Sequence, residues 1–166
     1  MRRTSSVLGS ILFLFVAPGF VAGVAPRWIS RWEMRPPLLG FEAMRWIGGL
    51  VLALGMVLLI DAFARFALEG RGTPAPVAPT ERLVVTGPYR FVRNPMYVAV
   101  VSLILGQGLL LGQTRVLVYG ALVWLLMHLF VLAYEEPTLR ASFPDDYAAF
   151  TRHVPRWLPR LGPWRG

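Results

Sequence analysis

Long uncharged runs alternate with charged or proline-rich stretches along the chain. The runs cover residues 4–26, 46–60, 94–114 and 116–134. The last two contain 21 and 19 residues, and a helix of about 20 residues crosses a hydrocarbon core roughly 30 Å thick. The second run is shorter, but its helix can continue on both sides if Arg45 and Asp61 lie near the membrane interfaces. The pattern therefore predicts about four transmembrane helices.

The first run has a second interpretation. It follows Arg2-Arg3 and ends near the small residues 22–25, which is also the arrangement of a cleaved signal peptide. However, the run is long for the apolar core of a signal peptide, and Pro18-Gly19 interrupts it. A transmembrane helix is therefore favoured, and a cleaved signal in residues 1–25 is the alternative.

The connector between the first two runs, residues 27–45, carries four arginines and a Pro36-Pro37 break. It also contains Trp28 and Trp32, and tryptophan is enriched at the lipid headgroups. We therefore expect an interfacial link. In the second run, Gly48, Gly49 and Gly55 predict the close approach of another helix, because small residues let helices pack tightly in lipid.

The longest polar connector covers residues 69–95 and contains three prolines between residues 74 and 79. These prolines prevent a regular helix, while residues 83–85 are expected to be extended and Gly87-Pro88 to form a turn. We therefore divide one membrane domain, residues 1–166, into three parts. They are the N-terminal spans (1–68), a cytoplasmic connector (69–95) and a helical hairpin with the C-terminal segment (96–166).

The last two runs are separated only by the tight turn at residues 112–115. Two helices joined so closely form an antiparallel hairpin. The ends farthest from the turn, residues 90–97 and 134–136, must then lie on the same side of the membrane. The hairpin therefore brings a cationic turn next to the acidic pair Glu135-Glu136.

After this pair, apolar residues recur at intervals of three and four positions, with Pro144 as an interruption. This pattern predicts an amphipathic helix on the membrane surface. A tail rich in arginine and tryptophan follows, and such a tail suits anionic headgroups. The predicted fold is all-α: a polytopic membrane helical bundle with a C-terminal amphipathic, interfacial helix. The apolar positions are Leu139, Phe143, Tyr147 and Phe150; the tail residues are Arg152, Arg156, Trp157, Arg160, Trp164 and Arg165.

Composition supports a membrane location. The chain is 55% hydrophobic and only 16% charged, and its mean hydropathy is +0.54, which is more apolar surface than a small soluble domain can bury. The charge of +8 comes from 17 arginines scattered among apolar runs, so we expect no nucleic-acid partner. The chain has no cysteine and two histidines, so we expect no metal site.

Arginine distribution predicts the orientation. With four spans, 12 arginines lie on the side of the long connector and five on the other side. Because arginine-rich loops stay on the cytoplasmic side, we expect the shared face of the hairpin to be cytoplasmic.

The residues on that face predict a ligand of both charges. Arg90, Arg93 and an open helix start at Asn94, an expected N-cap, favour an anion. The pair Glu135-Glu136 favours a cation. Alternatively, the arginines bind lipid phosphates and the glutamates mark the exit of the helix from the membrane.

Two residues within the last run are candidates for contact with a substrate. His128 precedes Glu135 by nearly two helical turns, so both are expected on one face, and ionisable residues inside a membrane are functional candidates. Trp124 lies one turn further in. The alternatives are a neutral histidine hydrogen-bonded between helices and a tryptophan that only packs.

These motifs together resemble a known family. Residues 83–89, the run Arg93-Asn94-Pro95-Met96-Tyr97, the pair Glu135-Glu136 and Val154-Pro155 occur in the order found in the isoprenylcysteine carboxyl methyltransferase and phospholipid methyltransferase group. The resemblance covers roughly residues 81–160. It implies an integral membrane methyltransferase that uses S-adenosylmethionine and acts on a lipophilic acceptor delivered from the bilayer.

The resemblance also implies the residues that bind the cofactor, with Glu135 receiving its amino group. A tunnel to the lipid would admit the acceptor, and no metal is needed. The implied residues are Glu81, Arg82, Leu83, Val84, Tyr89, Arg93, Asn94, Pro95, Met96, Tyr97, Glu135 and Glu136.

The chain departs from the prenylcysteine enzymes at three positions. Asn94 replaces a histidine, Val131 replaces an arginine that engages the substrate carboxylate, and Pro144 replaces a glycine. The acceptor therefore stays open among a prenylcysteine-like carboxylate, a lipid amine and other apolar molecules. The alternative function is a non-catalytic membrane protein that retains the fold and binds lipids or another protein.

Overall fold

The computed structural model describes residues 16–69 and 83–165. These residues form helices and turns without a strand, which confirms the predicted all-α class for the described part. The helices are α1 (16–30, which contains a π-helical turn at Phe20–Val24), α2 (Ala43–Glu69), α3 (Pro95–Leu111), α4 (Thr114–Phe130), α5 (Glu136–Ser142) and α6 (Pro144–His153). A π-helical turn at Val131–Glu135 joins α4 to α5, and 3₁₀ turns occupy Leu38–Gly40 and Gly87–Arg90.

Helices α1 to α4 run in alternating directions between two ends of the molecule. At the linker end, the link 31–42 meets the turn between α3 and α4: the Arg35 N–H donates to Leu111 O at 2.9 Å, and Gln113 Nε2 donates to Glu33 O at 2.9 Å. The site end holds the end of α2, residues 83–94, the start of α3 and everything after α4. The predicted hairpin of α3 and α4 is confirmed.

Within the described residues, two helices are long and apolar enough to cross a membrane. They are Ala43–Arg65, with 23 residues, and Thr114–Ser142, with 29 residues. The apolar helix α3 is shorter, with 17 residues, and α1 is described only from residue 16. The count of four spans therefore stays a prediction, and so does the choice between a span and a cleaved signal in residues 1–25.

Glycines let α2 and α3 pack closely. A Cβ atom added at Gly48 would lie 2.5 Å from Leu110 N, and one added at Gly55 would lie 3.0 Å from Ser102 Cβ. A side chain at position 48 would therefore clash with the backbone of α3. The prediction is thus confirmed for Gly48 and Gly55, but it is wrong for Gly49, which has nothing within 4 Å and faces away from α3.

The amphipathic C-terminal region forms α5 and α6, separated at Phe143, and Pro144 occupies the first turn of α6. Its apolar face packs on the protein: Tyr147 and Phe150 are buried with Val84 and Tyr89. This corrects the expectation that the face lies against lipid. The turn before α3 and the end of α2 supply enough apolar surface to cover it.

The arginine- and tryptophan-rich tail also folds back onto the protein. Its backbone forms hydrogen bonds with residues 90–93: Arg93 N to Pro155 O (2.9 Å), Arg160 N to Phe91 O (3.0 Å) and Trp164 N to Arg90 O (2.9 Å). The prediction that Arg156, Trp157 and Trp164 serve the lipid headgroups is therefore wrong, since their partners are other parts of this chain.

Candidate active site

Two cavities adjoin at the site end and share four lining residues, Tyr89, Arg93, Asn94 and Glu135. Their volumes, about 700 and 520 Å³, include the open mouths of the cavities. The inner cavity extends between α1, α2, α3 and α4. It is further lined by Ala17, Pro18, Val21, Phe63, Pro95, Met96, Tyr97, Val100 and Met127.

The outer cavity extends from the shared residues towards the C-terminal helices. It is further lined by Leu83, Val84, Glu136, Leu139, Tyr147 and Phe150. The structure therefore brings together ten of the twelve residues assigned to cofactor binding from the sequence. Glu81 and Arg82 lie outside the described residues. That these residues bind a cofactor stays a prediction.

Glu135 is the acidic residue that faces both cavities. It ends the π-helical turn after α4, and its Oε2 accepts a hydrogen bond of 2.8 Å from the Tyr97 hydroxyl in the first turn of α3. Two helix ends from opposite arms of the hairpin thus position one carboxylate. A carboxylate oriented in this way can receive an ammonium group.

Glu136 is held differently, in a cluster of arginines. It is 4% exposed, and Arg156 binds it with two hydrogen bonds, from Nε at 2.6 Å and from Nη2 at 3.1 Å. Arg93 Nη1 lies 3.0 Å from the same carboxylate and Arg140 Nη2 lies 3.8 Å from it. Glu136 therefore joins the start of α5 to the turn before α3 and to the C-terminal tail.

This cluster corrects the prediction that the turn offers its arginines to an anion. Arg93 pairs with Glu136, and Arg90 Nε donates to the Trp164 carbonyl. Both cations therefore have partners within the chain. Glu136 is likewise neutralised by arginine, so it does not offer the second negative charge that the acidic pair predicted.

Asn94 occupies the N-cap position of α3 and Pro95 its first turn, as predicted. The Asn94 side chain makes no capping hydrogen bond; its Nδ2 donates instead to the Arg156 carbonyl at 3.2 Å. The expected capping role is therefore wrong. Without a side-chain cap, the first-turn N–H groups of α3 remain a place where an anion is stabilised.

Burial and charge set the protonation state of two further groups. Burial raises the pKa of the Tyr89 hydroxyl well above its usual range, and the carboxylates of Glu135, Asp61 and Glu69 raise it further. Tyr89 is therefore a neutral hydroxyl at physiological pH. The hydrogen bond to Glu136 raises the pKa of Arg156, so the cation in the cluster is stabilised.

His128 and Trp124 do not line either of these two cavities, and their contact with a substrate stays a prediction. The cause of their position is the π-helical turn at Val131–Glu135. A π turn takes about one residue more than an α turn, so the residue on the face of Glu135 is eight positions earlier rather than seven. That residue is Met127, which does line the inner cavity.

Sequence reasoning missed several residues at the site, among them two that line the inner cavity and two that hold its neighbours. Phe63 and Met127 line the inner cavity, while Arg156 and Trp157 hold its neighbours in place. An apolar residue inside an apolar run carries no local signal. Arg156 and Glu136 are not on the same helix, because α6 and a turn lie between them. Their spacing in the sequence therefore does not predict their contact.

Comparison with known proteins adds a family to this geometry. A family model described as phospholipid methyltransferase matches residues 43–146. The chain belongs to the phospholipid methyltransferase family. The match contains the hairpin and both glutamates, and it confirms the resemblance noted from the sequence motifs.

Two relatives of this phospholipid methyltransferase family member are named after metal resistance. The chain is 32% identical over 126 residues to the cobalt-zinc-cadmium resistance protein CzcN of Cupriavidus metallidurans. It is 33% identical over 127 residues to the nickel-cobalt-cadmium resistance protein NccN of Alcaligenes xylosoxydans xylosoxydans. The matches cover 73% and 72% of this chain and 55% of each relative, so the chain spans about half the length of these relatives.

Family membership and the two apolar helices together describe a membrane protein of a methyltransferase family. The names of the relatives specify no methyl acceptor.

Proposed function

We propose that this protein is an integral, multi-pass membrane methyltransferase that uses S-adenosylmethionine and methylates a lipophilic small molecule. The observation that carries the proposal is the pair of adjoining cavities. One is lined by apolar side chains of α1 to α4, the other by the C-terminal helices, and they meet at Glu135 and Asn94. Such a pair suits two ligands whose reacting atoms must come together.

The outer cavity fits the cofactor in three respects. Glu135 provides a carboxylate for the ammonium group, and the uncapped first turn of α3 provides N–H donors for the carboxylate. Leu83, Val84 and Phe150 provide an apolar surface for the adenine ring. When bound, S-adenosylmethionine supplies an electrophilic methyl group carried on a sulfonium.

The chain's own contribution is orientation and exclusion of water. Tyr97 fixes the Glu135 carboxylate at one end of the site, and Phe63, Val100 and Met127 form dry walls at the other. Positioning two reactants in a water-poor site accounts for a large share of the rate in group transfer. No general base is assigned among the residues of the site.

The acceptor is proposed to be a lipid amine or another apolar molecule without a carboxylate. The prenylcysteine enzymes that this chain resembles have, at the position of Val131, an arginine that binds the substrate carboxylate. Here Val131 is completely buried, and Arg93 is already paired with Glu136. A carboxylate in the inner cavity would therefore lack a free cation among the described lining residues.

The orientation of the site follows from the arginine count. Of the 13 arginines among the described residues, eight lie at the site end, so we place it on the cytoplasmic side, where the soluble cofactor is available. The apolar acceptor would reach the inner cavity from the bilayer, past α1.

Titration with S-adenosylhomocysteine tests this function directly. The purified protein in detergent micelles should bind it in isothermal calorimetry, and Glu135→Gln should weaken binding at least tenfold, because a charge-assisted hydrogen bond contributes roughly 1.5–3 kcal/mol. The exposed Asp145→Asn variant is the matched control and should bind like the parent.

No heat and no thermal shift at millimolar ligand would contradict the proposal and favour the non-catalytic, lipid-binding alternative. If binding is found, incubation of membrane extracts with methyl-labelled cofactor and mass spectrometry of the lipid fraction should identify the acceptor. Label in a lipid carboxylate would contradict the proposed acceptor class.

A further inference from the structure

An aromatic cluster lies beside the inner cavity on the outer face of α4. The rings of Trp124 and His128 stack at 5.3 Å with an interplanar angle of 9°. Trp157, from the C-terminal tail, packs against both, and its ring centroid lies 6.5 Å from that of Tyr97. The cluster therefore connects a histidine outside the lining of both cavities to the tyrosine that positions Glu135.

The hydrogen bond inside the cluster determines which nitrogen of His128 carries a proton. Trp157 Nε1 lies 3.0 Å from His128 Nδ1. An indole N–H only donates, so Nδ1 must be the acceptor and carries no proton. In the neutral ring the proton is then on Nε2. In this form Nδ1 is the one ring nitrogen that can accept a proton, and it already accepts the Trp157 N–H. His128 therefore has no free nitrogen with which to take a proton from a substrate.

The segment that Trp157 belongs to is attached to the site on three sides. Arg156 binds Glu136 at the start of α5, and its carbonyl accepts the Asn94 side chain. Pro155 accepts the Arg93 N–H. The bond from Trp157 to His128 is the attachment to α4. Without the Trp157–His128 hydrogen bond, the tail is still held by the contacts of Arg156 with Glu136 and Asn94. The indole ring beside Tyr97, however, loses its fixed orientation.

We propose that His128 is a positioning residue: its neutral Nε2–H form holds Trp157 against Tyr97 and so maintains the wall of the cofactor and acceptor site. This inference rests on the proposed methyltransferase function. It assigns His128 to neither proton transfer nor direct contact with the acceptor. Trp124 supports the imidazole ring by stacking.

Nitrogen NMR of the protein labelled with ¹⁵N-histidine tests the proton position independently of activity. The chain has two histidines, and they should be in opposite forms. His153 Nδ1 lies 2.9 Å from the Ala149 carbonyl, which only accepts, so His153 must carry a proton on Nδ1. A His153→Gln variant assigns the signals. A proton on His128 Nδ1 at neutral pH would overturn the proposal.

Variants at the two partners test the positioning role. In His128→Asn, the amide oxygen takes the place of Nδ1 as acceptor, so S-adenosylhomocysteine binding and methyl transfer should stay within twofold of the parent. His128→Leu and Trp157→Phe each remove the bond and should weaken binding about five- to tenfold. The double variant should be no worse than either single one, since both remove the same interaction.

The outcomes separate the two proposals. If the parent protein neither binds S-adenosylhomocysteine nor transfers a methyl group, the proposed function fails, while the NMR measurement still reports the His128–Trp157 bond. If the parent is active and His128→Asn is as inactive as His128→Leu, the ring itself takes part in the reaction and the positioning role is wrong. Full activity of Trp157→Phe would also overturn it.

Discussion

Glu135 and Glu136 are neighbours in the chain, yet their carboxylates have different partners. Glu135 binds one neutral hydroxyl, that of Tyr97, and faces both cavities. Glu136 is buried among Arg93, Arg140 and Arg156. At the residue scale, one acid faces both cavities, while the other holds three parts of the chain together.

Neutralising Glu136 should therefore destabilise the protein. Glu136→Gln leaves Arg93 and Arg156 as partly buried cations without a counter-charge, and breaking a buried ion pair in this way costs about 3–5 kcal/mol. At about 2–4 °C per kcal/mol for a chain of this size, the midpoint of thermal unfolding in detergent should fall by at least roughly 6 °C.

Glu135→Gln is the matched control, since it changes the adjacent residue in the same way. Its unfolding midpoint should stay within about 2 °C of the parent, because no arginine loses its counter-charge and an amide oxygen can still accept the Tyr97 hydroxyl, while its affinity for S-adenosylhomocysteine falls. Equal destabilisation by the two variants would show that the two acids do not have separate roles.

The Tyr97 hydroxyl should matter for ligand affinity more than for folding. Tyr97→Phe retains the ring but removes the hydrogen bond to Glu135, and a hydrogen bond to a charged group contributes roughly 1.5–3 kcal/mol. We expect at least tenfold weaker binding of S-adenosylhomocysteine in calorimetry.

Tyr134→Phe provides the comparison, because it makes the same chemical change one residue before Glu135 at a side chain that is 47% exposed. Its affinity should equal that of the parent. If Tyr97→Phe also binds normally, Tyr97 does not orient the Glu135 carboxylate.

At the scale of helices, the contact between α2 and α3 depends on the side on which each glycine lies. Gly48 faces α3 so closely that an added Cβ would lie 2.5 Å from the Leu110 nitrogen and 2.8 Å from the Gly106 oxygen. These are backbone atoms, so the helices themselves would have to separate. Gly49 is its neighbour in the sequence and has open space.

Gly48→Ala should therefore lower the free energy of unfolding by about 1–3 kcal/mol, the usual cost of overpacking. Gly49→Ala should be neutral or stabilising by up to about 1 kcal/mol, because alanine favours a helix. Thermal unfolding of the two variants, with the fraction that elutes as a single species in gel filtration, tests the difference. Equal effects would contradict the close contact of α2 with α3.

The π-helical turn at Val131–Glu135 is the second decisive element. It rotates Glu135 relative to the preceding helix, so that Met127 and Glu135 share a face while His128 points to the aromatic cluster. A single turn with one additional residue thus separates the cavity-facing side of α4 from the side that contacts the tail.

At the scale of the whole molecule, the alternating directions of α1 to α4 predict how the chain is exposed on the two sides of a membrane. Glu33 and Arg115 are exposed at the linker end, and Arg152 is exposed at the site end. Because the chain has no cysteine, a single introduced thiol can be labelled selectively.

With a maleimide that does not cross membranes, Glu33→Cys and Arg115→Cys should be labelled from the outside of intact cells, and Arg152→Cys only after the membrane is opened. The positive-inside rule sets this orientation. Labelling of Arg115→Cys and Arg152→Cys from the same side would show that the hairpin does not cross the bilayer and would contradict the four-span arrangement.

Much of this arrangement could be predicted because it depends on local pattern. Uninterrupted apolar runs predicted α2, α3 and α4. The short turn at Gly112 predicted the hairpin of α3 and α4. The tail could not be predicted in the same way. Its arginines and tryptophans have the composition of a membrane anchor, and the partners that bind them, Glu136 and His128, lie far away in the sequence.

The sequence by itself determined the helical class, the order of the apolar helices and the meeting of residues 90–97 with Glu135, because helix length and turn length are properties of neighbouring residues. Only the tertiary structure decided which acid faces both cavities, which side of α4 lines the inner cavity and where the tail lies. These features depend on the rotation of a helix by one π turn and on pairing between buried charges, and neither is visible in the spacing of residues along the chain.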